Sequence, residues 1–190
     1  MNSAIIVLYF INFILIGALP RLFFKKDGKL NFKWWLTAFP TIVCLLFLFI
    51  GYIGWVSPTI IYKNNIEKVI EFLVIIISVV SIGLIFLTLG THKIPIALWH
   101  QENDAPQSIV TYGAYKYIRH PFYASFLLAF LGISIAFPHW VTIFCVVYGF
   151  ITLNLTAKRE ENRLSMSAFG VDYKAYMKKT GRFIPRPGVK

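Results

Sequence analysis

Acidic residues are few in this chain. Eight Asp and Glu stand against 19 Lys and Arg, and charged residues make up only 14% of 190 positions. A water-soluble domain carries about 25%, so a globular domain with an ordinary solvated surface is excluded. Cysteine is nearly absent. Cys44 and Cys145 both lie inside apolar runs, with no CxxC spacing and no neighbouring histidine. That argues against a disulfide framework and against a zinc or other metal site, and for two small core residues. There is no glycine-rich nucleotide loop of the soluble Rossmann type, no internal repeat and no low-complexity segment. A separate basic domain is missing too, so the net charge of +11 does not point to nucleic acid.

What the chain has in quantity is apolar sequence. Five runs stand out: Ala4–Leu19, Leu36–Val56, Val69–Leu89, Phe122–Phe137 and Trp140–Leu155. A membrane-crossing helix needs about 20 apolar residues. The second and third runs meet this; the first, fourth and fifth are shorter and would cross with little tilt. The first run has no charged residue before it and no small-residue cleavage site after it, so a retained span is expected rather than a signal peptide. The expected fold is all-α: a polytopic membrane protein with about five transmembrane helices.

The cations test that topology. Arg21 to Lys33 fall between the first two runs, Lys93, Lys116 and Arg119 between the third and fourth, and Lys158 to Lys190 after the fifth. With five crossings, all but two of the 19 cations, Lys63 and Lys68, share one face. The positive-inside rule then puts the N-terminus outside and the C-terminal tail in the cytoplasm. The bilayer is the first expected partner, and the cytoplasmic membrane the location for a prokaryotic chain.

The two halves differ in chemistry. Residues 1–90 read as a three-span membrane part with little polar content. Residues 91–190 hold a polar loop over 91–121, a helical hairpin over 122–156 joined by the short Pro138-His139 link, and a cytoplasmic tail over 157–190. Leu164, Ala168, Val171 and Ala175 recur at helical spacing in the tail, with Gly181 as a helix stop. The tail is expected to cover a pocket.

The polar residues concentrate at one corner, GAYKYIRHPFYAS, residues 113–125. Pro121 stands where the fourth helix should begin, a position that suits proline because its missing N–H has no intrahelical partner there. Arg119 and His120 then sit at the positive end of that helix, where free N–H groups and the dipole favour an anion. Arg119 adds a fork suited to a carboxylate or phosphate. Tyr115, Tyr117 and Tyr123 supply rings and hydroxyls. Arginine and tyrosine at a membrane surface are often plain anchors. What raises the corner above an anchor is that the hairpin returns Glu160 and Glu161 to the same face.

The ordered elements G-A-Y-K-Y-I-R-H-P-F-Y, then E-E-x-x-L-x-x-x-x-F-G-x-x-Y-x-x-Y, then R-F-I-P resemble the isoprenylcysteine carboxyl methyltransferase (ICMT) family, most closely its short five-span prokaryotic members, over about Gln101 to Pro185. The resemblance implies a pocket for S-adenosylmethionine at the cytoplasmic membrane surface, leaving S-adenosylhomocysteine as product. It implies cofactor contacts from Gln101, Gln107, Ser108, Ile109, Val110 and Tyr115, from His120, Pro121, Phe122 and Tyr123, and from Glu160 or Glu161. Arg119 would orient the cofactor carboxylate or the acceptor. Larger relatives carry a substrate-facing arginine a few residues before the acidic pair; here Thr156, Ala157 and Lys158 stand there, and Arg159 is the candidate substitute.

Methyl transfer to a carboxylate needs no general base, because the acceptor oxygen is already ionised at neutral pH. In-line placement and a dry site suffice, which accounts for the lack of a catalytic dyad. The expected function is membrane methyl transfer to a lipophilic acceptor, first of all carboxyl O-methylation of an isoprenylcysteine-like molecule, with phospholipid-amine N-methylation as an alternative. A membrane sterol or enone reductase using NADPH is the rival enzyme class. Such reductases share an R-H-P-x-Y corner but typically carry asparagine where this chain has Phe122. A non-catalytic membrane scaffold is the third possibility.

Overall fold

In the computed structural model the described residues are 3–18, 24, 27–91 and 109–187. They form six α-helices and a short 3-10 turn: α1 (Ser3–Ala18), α2 (Phe32–Tyr52), α3 (Asn64–Thr91), the 3-10 turn (Gly113–Lys116), α4 (Pro121–Ala136), α5 (Trp140–Ser165) and α6 (Gly170–Lys179). Among the described residues the extended pairings are isolated bridges, Phe24 with Leu30 and Ile118 with Gly181.

Trp34–Tyr52, Asn65–Thr91 and Trp140–Ser165 are long and apolar enough to cross a membrane. α1 and α4 have 16 residues each. At 1.5 Å per residue that is about 24 Å, short of a hydrocarbon core of roughly 30 Å. The structure therefore supports an all-helical membrane protein with three full-length candidate spans and two shorter apolar helices.

The core is mainly apolar, but so are the outer faces, and a small polar cluster lies inside. Val79, Phe86, Phe72 and Phe144 are exposed on the outer faces, as lipid contact requires, while Asn12, Ser78, Ser81 and Ser125 are buried between helices. The Asn12 amide donates to Ser78 Oγ at 3.3 Å, and Ser81 Oγ lies 3.1 Å from Asn12 Oδ1 and 2.8 Å from the Ser125 carbonyl. The Tyr9 hydroxyl donates to the Val74 carbonyl at 3.1 Å. Apolar side chains gain nothing by leaving lipid for another apolar surface, so such hydrogen bonds and close packing hold α1 to α3 and α4. Phe13 packs against Phe130 with ring centres 5.7 Å apart.

The hairpin of α4 and α5 positions the chemistry. Pro121 occupies the first turn of α4, as the sequence predicts. At the other end, Pro138 and His139 stop one helix and start the next. His139 Nδ1 accepts from the Val141 N–H, while the His139 N–H donates to Thr142 Oγ1 at 3.1 Å, a capping box. Thr59 reaches over from the α2–α3 connection and donates its hydroxyl to the Pro138 carbonyl at 2.8 Å. So short a link forces the start of α4 and the far end of α5 to the same end of the bundle.

Gly132 of α4 is the point of closest approach. A Cβ there would lie 1.7 Å from the Tyr9 hydroxyl. Gly132→Ala is expected to push α1 off α4 and to cost about 1–3 kcal/mol, seen as a lower melting temperature in detergent. Gly83→Ala, where a Cβ meets nothing within 4 Å, should leave stability unchanged or raise it slightly.

Candidate functional site

The site is built where three segments converge. The strand-like stretch before α4 pairs with the stretch after α6: the Gly181 N–H donates to the Tyr117 carbonyl at 3.2 Å, the Arg119 N–H to Gly181 at 2.8 Å, and the His120 N–H to Arg182 at 3.0 Å. α6 ends at Lys179 and Thr180 is extended. Gly181 allows the turn that follows, since a Cβ there would meet the Ile184 carbonyl at 1.7 Å. The last charged turns of α5 close the third side.

Glu161 is the centre of this convergence. It is 5% exposed, and its carboxylate accepts from two arginines. Arg119 Nε donates to Oε1 at 2.8 Å; Arg182 donates Nε to Oε1 at 3.1 Å and a terminal nitrogen to Oε2. Arg182 also donates to Asn154 Oδ1 at 2.6 Å, and its hydrogen bonds to Glu161 raise its affinity for its proton. One terminal nitrogen of Arg119 donates to the carbonyls of Met177, at 3.2 Å, and of Thr180. A guanidinium there satisfies the open carbonyls at the end of α6 and complements the dipole. Arg119 thus joins the start of α4 to α5 and α6.

Glu160 stands in a different setting. Its Oε1 accepts from the Tyr123 hydroxyl at 2.7 Å and its Oε2 lies 3.4 Å from His120 Nδ1. The His120 ring stacks on Tyr123, with planes 1° apart and centres 5.3 Å apart, and meets Phe183 edge-on. His120 Nε2 is buried and makes no hydrogen bond, lying 3.4 Å from Glu161 Oε1. Burial lowers the pKa of this imidazole below 6.5; Glu161 pulls it up, and Arg119 and Arg182 push it down again. The ring is neutral at pH 7.

Around these groups stand phenols kept protonated by burial. Tyr176 is pushed up to about 12 and donates to the Tyr115 carbonyl at 2.5 Å. Tyr115 and Tyr173 are raised as well, burial being the first cause in each.

The structure brings together Arg119, His120, Tyr123, Glu160 and Glu161 from the expected set, with Tyr115 beside them. Pro121 and Phe122 are buried at the first turn of α4, where Phe122 packs on Phe126, ring centres 5.2 Å apart, as part of the bundle core. Ile109 and Val110 are half-buried. Arg159 is exposed and lines a cleft on the α2 side of Glu160. Gln101, Gln107 and Ser108 lie outside the described residues.

Sequence reasoning gave no role to Arg182, Asn154, Tyr173, Tyr176, Thr180 or Phe183. Asn154 carried a signal, as an amide inside an apolar run. Arg182 opened a quoted motif, yet its partner 21 residues away is a matter of tertiary structure.

The adjacent glutamates should respond differently to mutation. Glu161→Gln strands two guanidinium groups and is expected to cost about 3 kcal/mol, the low end for a broken buried pair because the Arg182 side chain keeps 29% exposure. Glu160→Gln removes one charge-assisted bond and should cost about half that. Thermal melting in detergent reads both. A His pKa lowered on folding means that the unfolded chain binds the extra proton. Stability therefore rises with pH up to the ordinary histidine value of 6.5 and is flat in this group above it. The loss of melting temperature between pH 7 and pH 5 should be smaller in His120→Gln than in the wild type.

The family model for phospholipid methyltransferases matches residues 66–171, from the first turn of α3 to the start of α6, and so takes in the Arg-His-Pro corner and both glutamates. Its members fall within the ICMT-like membrane methyltransferases. Among curated proteins, none matches the chain at a significant level. The match covers more than half of the sequence and takes in two of the three helices fit to cross a bilayer; the chain belongs to the phospholipid methyltransferase family and is an integral membrane methyltransferase.

Proposed function

We propose that the protein transfers a methyl group from S-adenosylmethionine to a lipophilic acceptor delivered from the bilayer, and that the reaction is carboxyl O-methylation of an isoprenylcysteine-like molecule. The observation that carries the reading is the meeting of His120, Tyr123 and Glu160 at the end of a membrane hairpin in a chain of this family. The residues suit the cofactor. Glu160 offers carboxylate oxygens to ribose hydroxyls or an amino group, and His120 Nε2 is a buried polar atom with no hydrogen bond of its own. Tyr115, Ile109, Val110, Pro121 and Phe122, with Gln101, Gln107 and Ser108 of the preceding loop, complete the expected set. When bound, S-adenosylmethionine supplies a methyl group already activated on a sulfonium.

The protein's part is placement. Tyr123 fixes one Glu160 oxygen, and the Glu161 cluster fixes the corner that carries His120. A carboxylate acceptor requires no base. The charge map supports five crossings with the N-terminus outside and this end of the bundle in the cytoplasm, which would let a soluble cofactor and a lipid-borne acceptor approach from different phases.

A second reading, N-methylation of a phospholipid amine, has its own support. It matches the description of the family, and an amine must lose a proton, which a neutral His120 could accept. S-adenosylhomocysteine should bind the purified protein at micromolar levels by calorimetry, about tenfold more weakly after Glu160→Ala or His120→Ala. Binding of NADPH with none of S-adenosylhomocysteine would overturn the proposal in favour of a reductase. Radiolabelled methyl transfer to fractionated lipids and prenylcysteine analogues decides between the acceptors.

A further inference from the structure

The motif GAYKYIRHPFYAS opens on a glycine that takes no part in the clusters around Glu160 and Glu161. Gly113 starts the 3-10 turn with φ +62°, a region of backbone space that glycine enters freely and a residue with a Cβ does not. The same position is closed by contact. A Cβ on Gly113 would lie 2.4 Å from Thr91 Oγ1 and 3.2 Å from Thr91 Cγ2. Thr91 has no free direction in which to yield. It is buried at the end of α3, its hydroxyl donates to the Leu87 carbonyl at 2.6 Å, and its own carbonyl accepts from the Tyr112 hydroxyl at 3.3 Å. Backbone angle and van der Waals contact thus make two independent demands for glycine.

The turn is gripped on two sides. On one, Gly113 rests against Thr91 of α3. On the other, Tyr176 of α6 donates its hydroxyl to the Tyr115 carbonyl at 2.5 Å. Between them Ala114 is buried, and its carbonyl accepts from the N–H groups of Tyr117 and Ile118, each at 3.2 Å. The Tyr115 phenol lies within electrostatic reach of Glu160, Tyr176 and Tyr123. Downstream, the bridge of Ile118 to Gly181 and the bonds from Arg119 to Glu161 and Met177 hold the next stretch by other means. Displacing the turn therefore moves Tyr115 and leaves the Glu161 cluster in place.

We infer that Gly113 is a positioning residue of the cofactor site: its contact with Thr91 sets the 3-10 turn, and the turn sets where Tyr115 stands beside Glu160. This rests on the S-adenosylmethionine reading above. Gly113 acts only through Tyr115 and touches no ligand itself. The end of α3 thereby reaches the site, although it contributes no side chain to it.

Calorimetry of S-adenosylhomocysteine binding to the full-length protein in detergent, with thermal melting alongside, tests this. Gly113→Ala should weaken binding about tenfold, and Tyr115→Ala by a similar factor. Y115A/G113A should bind no more weakly than Tyr115→Ala alone, because the second change has nothing left to misplace. G113N/T91A should bind within about threefold of the wild type, since asparagine tolerates a positive φ and Thr91→Ala removes the blocking atoms, leaving its Cβ at an ordinary 3.4 Å. If Gly113→Ala does not fold, Gly113→Asn, which meets the backbone demand and fails only the contact, replaces it in each comparison. Unchanged affinity in Gly113→Ala, additive losses in Y115A/G113A, or no recovery in G113N/T91A overturns the inference. Where the wild type still binds S-adenosylhomocysteine, the methyl-transfer reading stands and only the role of Gly113 falls; a wild type that binds none takes both down.

Discussion

One buried carboxylate holds this end of the molecule together. Glu161 on α5 accepts from Arg119, just before α4, and from Arg182, just after α6. Moving a carboxylate out of water costs several kcal/mol unless charge and hydrogen bonds replace the lost hydration. Here two guanidinium groups do so, and each is itself anchored, Arg182 to Asn154 and Arg119 to the end of α6. Three segments are therefore tied to one another by charge as well as by the packing of Phe183 on the hydrophobic cluster of α4 and α5. The tail lies over the corner because Arg182 meets Glu161 there, while Gly181 and the Arg182 carbonyl pair with the stretch before α4.

Within the bundle the same logic works at lower charge. Asn12, Ser78, Ser81 and Ser125 join α1, α3 and α4 through hydrogen bonds in surroundings where water is scarce. Ser125 lies one turn into α4, and its hydroxyl donates to the Phe122 carbonyl at 2.7 Å. The polar core of the membrane part thus reaches the first turn of the helix that carries His120. Packing of α1, a helix without a charged residue, helps to set the orientation of the Arg-His-Pro corner.

Much of this was legible beforehand because it rests on local rules. Pro121 marks the start of α4, the Pro138-His139 link closes the hairpin, and a hairpin that closes must bring Glu160 and Glu161 back to the start of its first helix. Helix length was legible for α1 and α4, whose 16 residues match their apolar runs, but not for α5, which continues past the end of its run at Leu155 to Ser165 because the polar residues after it keep helical geometry. The partners of Arg119 were not legible at all. An arginine at a helix N-terminus reads as an anion binder, and nothing in the residues around it reveals that a carboxylate and two carbonyls of its own chain are the groups it meets. Phe122 shows the same limit, since the residue that separates two enzyme classes by type faces the core in space.

The adjacency of the two acids has a geometric consequence. Successive residues of an α-helix point about 100° apart, so Glu160 and Glu161 cannot serve one ligand symmetrically. Glu161 turns toward the arginines and the tail and is compensated in full. Glu160 turns toward Tyr123 and His120, with one hydrogen bond to a neutral phenol, and it also borders the cleft of Arg159 and Arg163. A ligand cation, amide or hydroxyl gains more from the second carboxylate than from the first, because the first already has its partners. The acidic pair is therefore a structural anchor and a recognition group placed side by side. The anchor supplies the rigidity that a recognition group needs if it is to present its oxygens in one position.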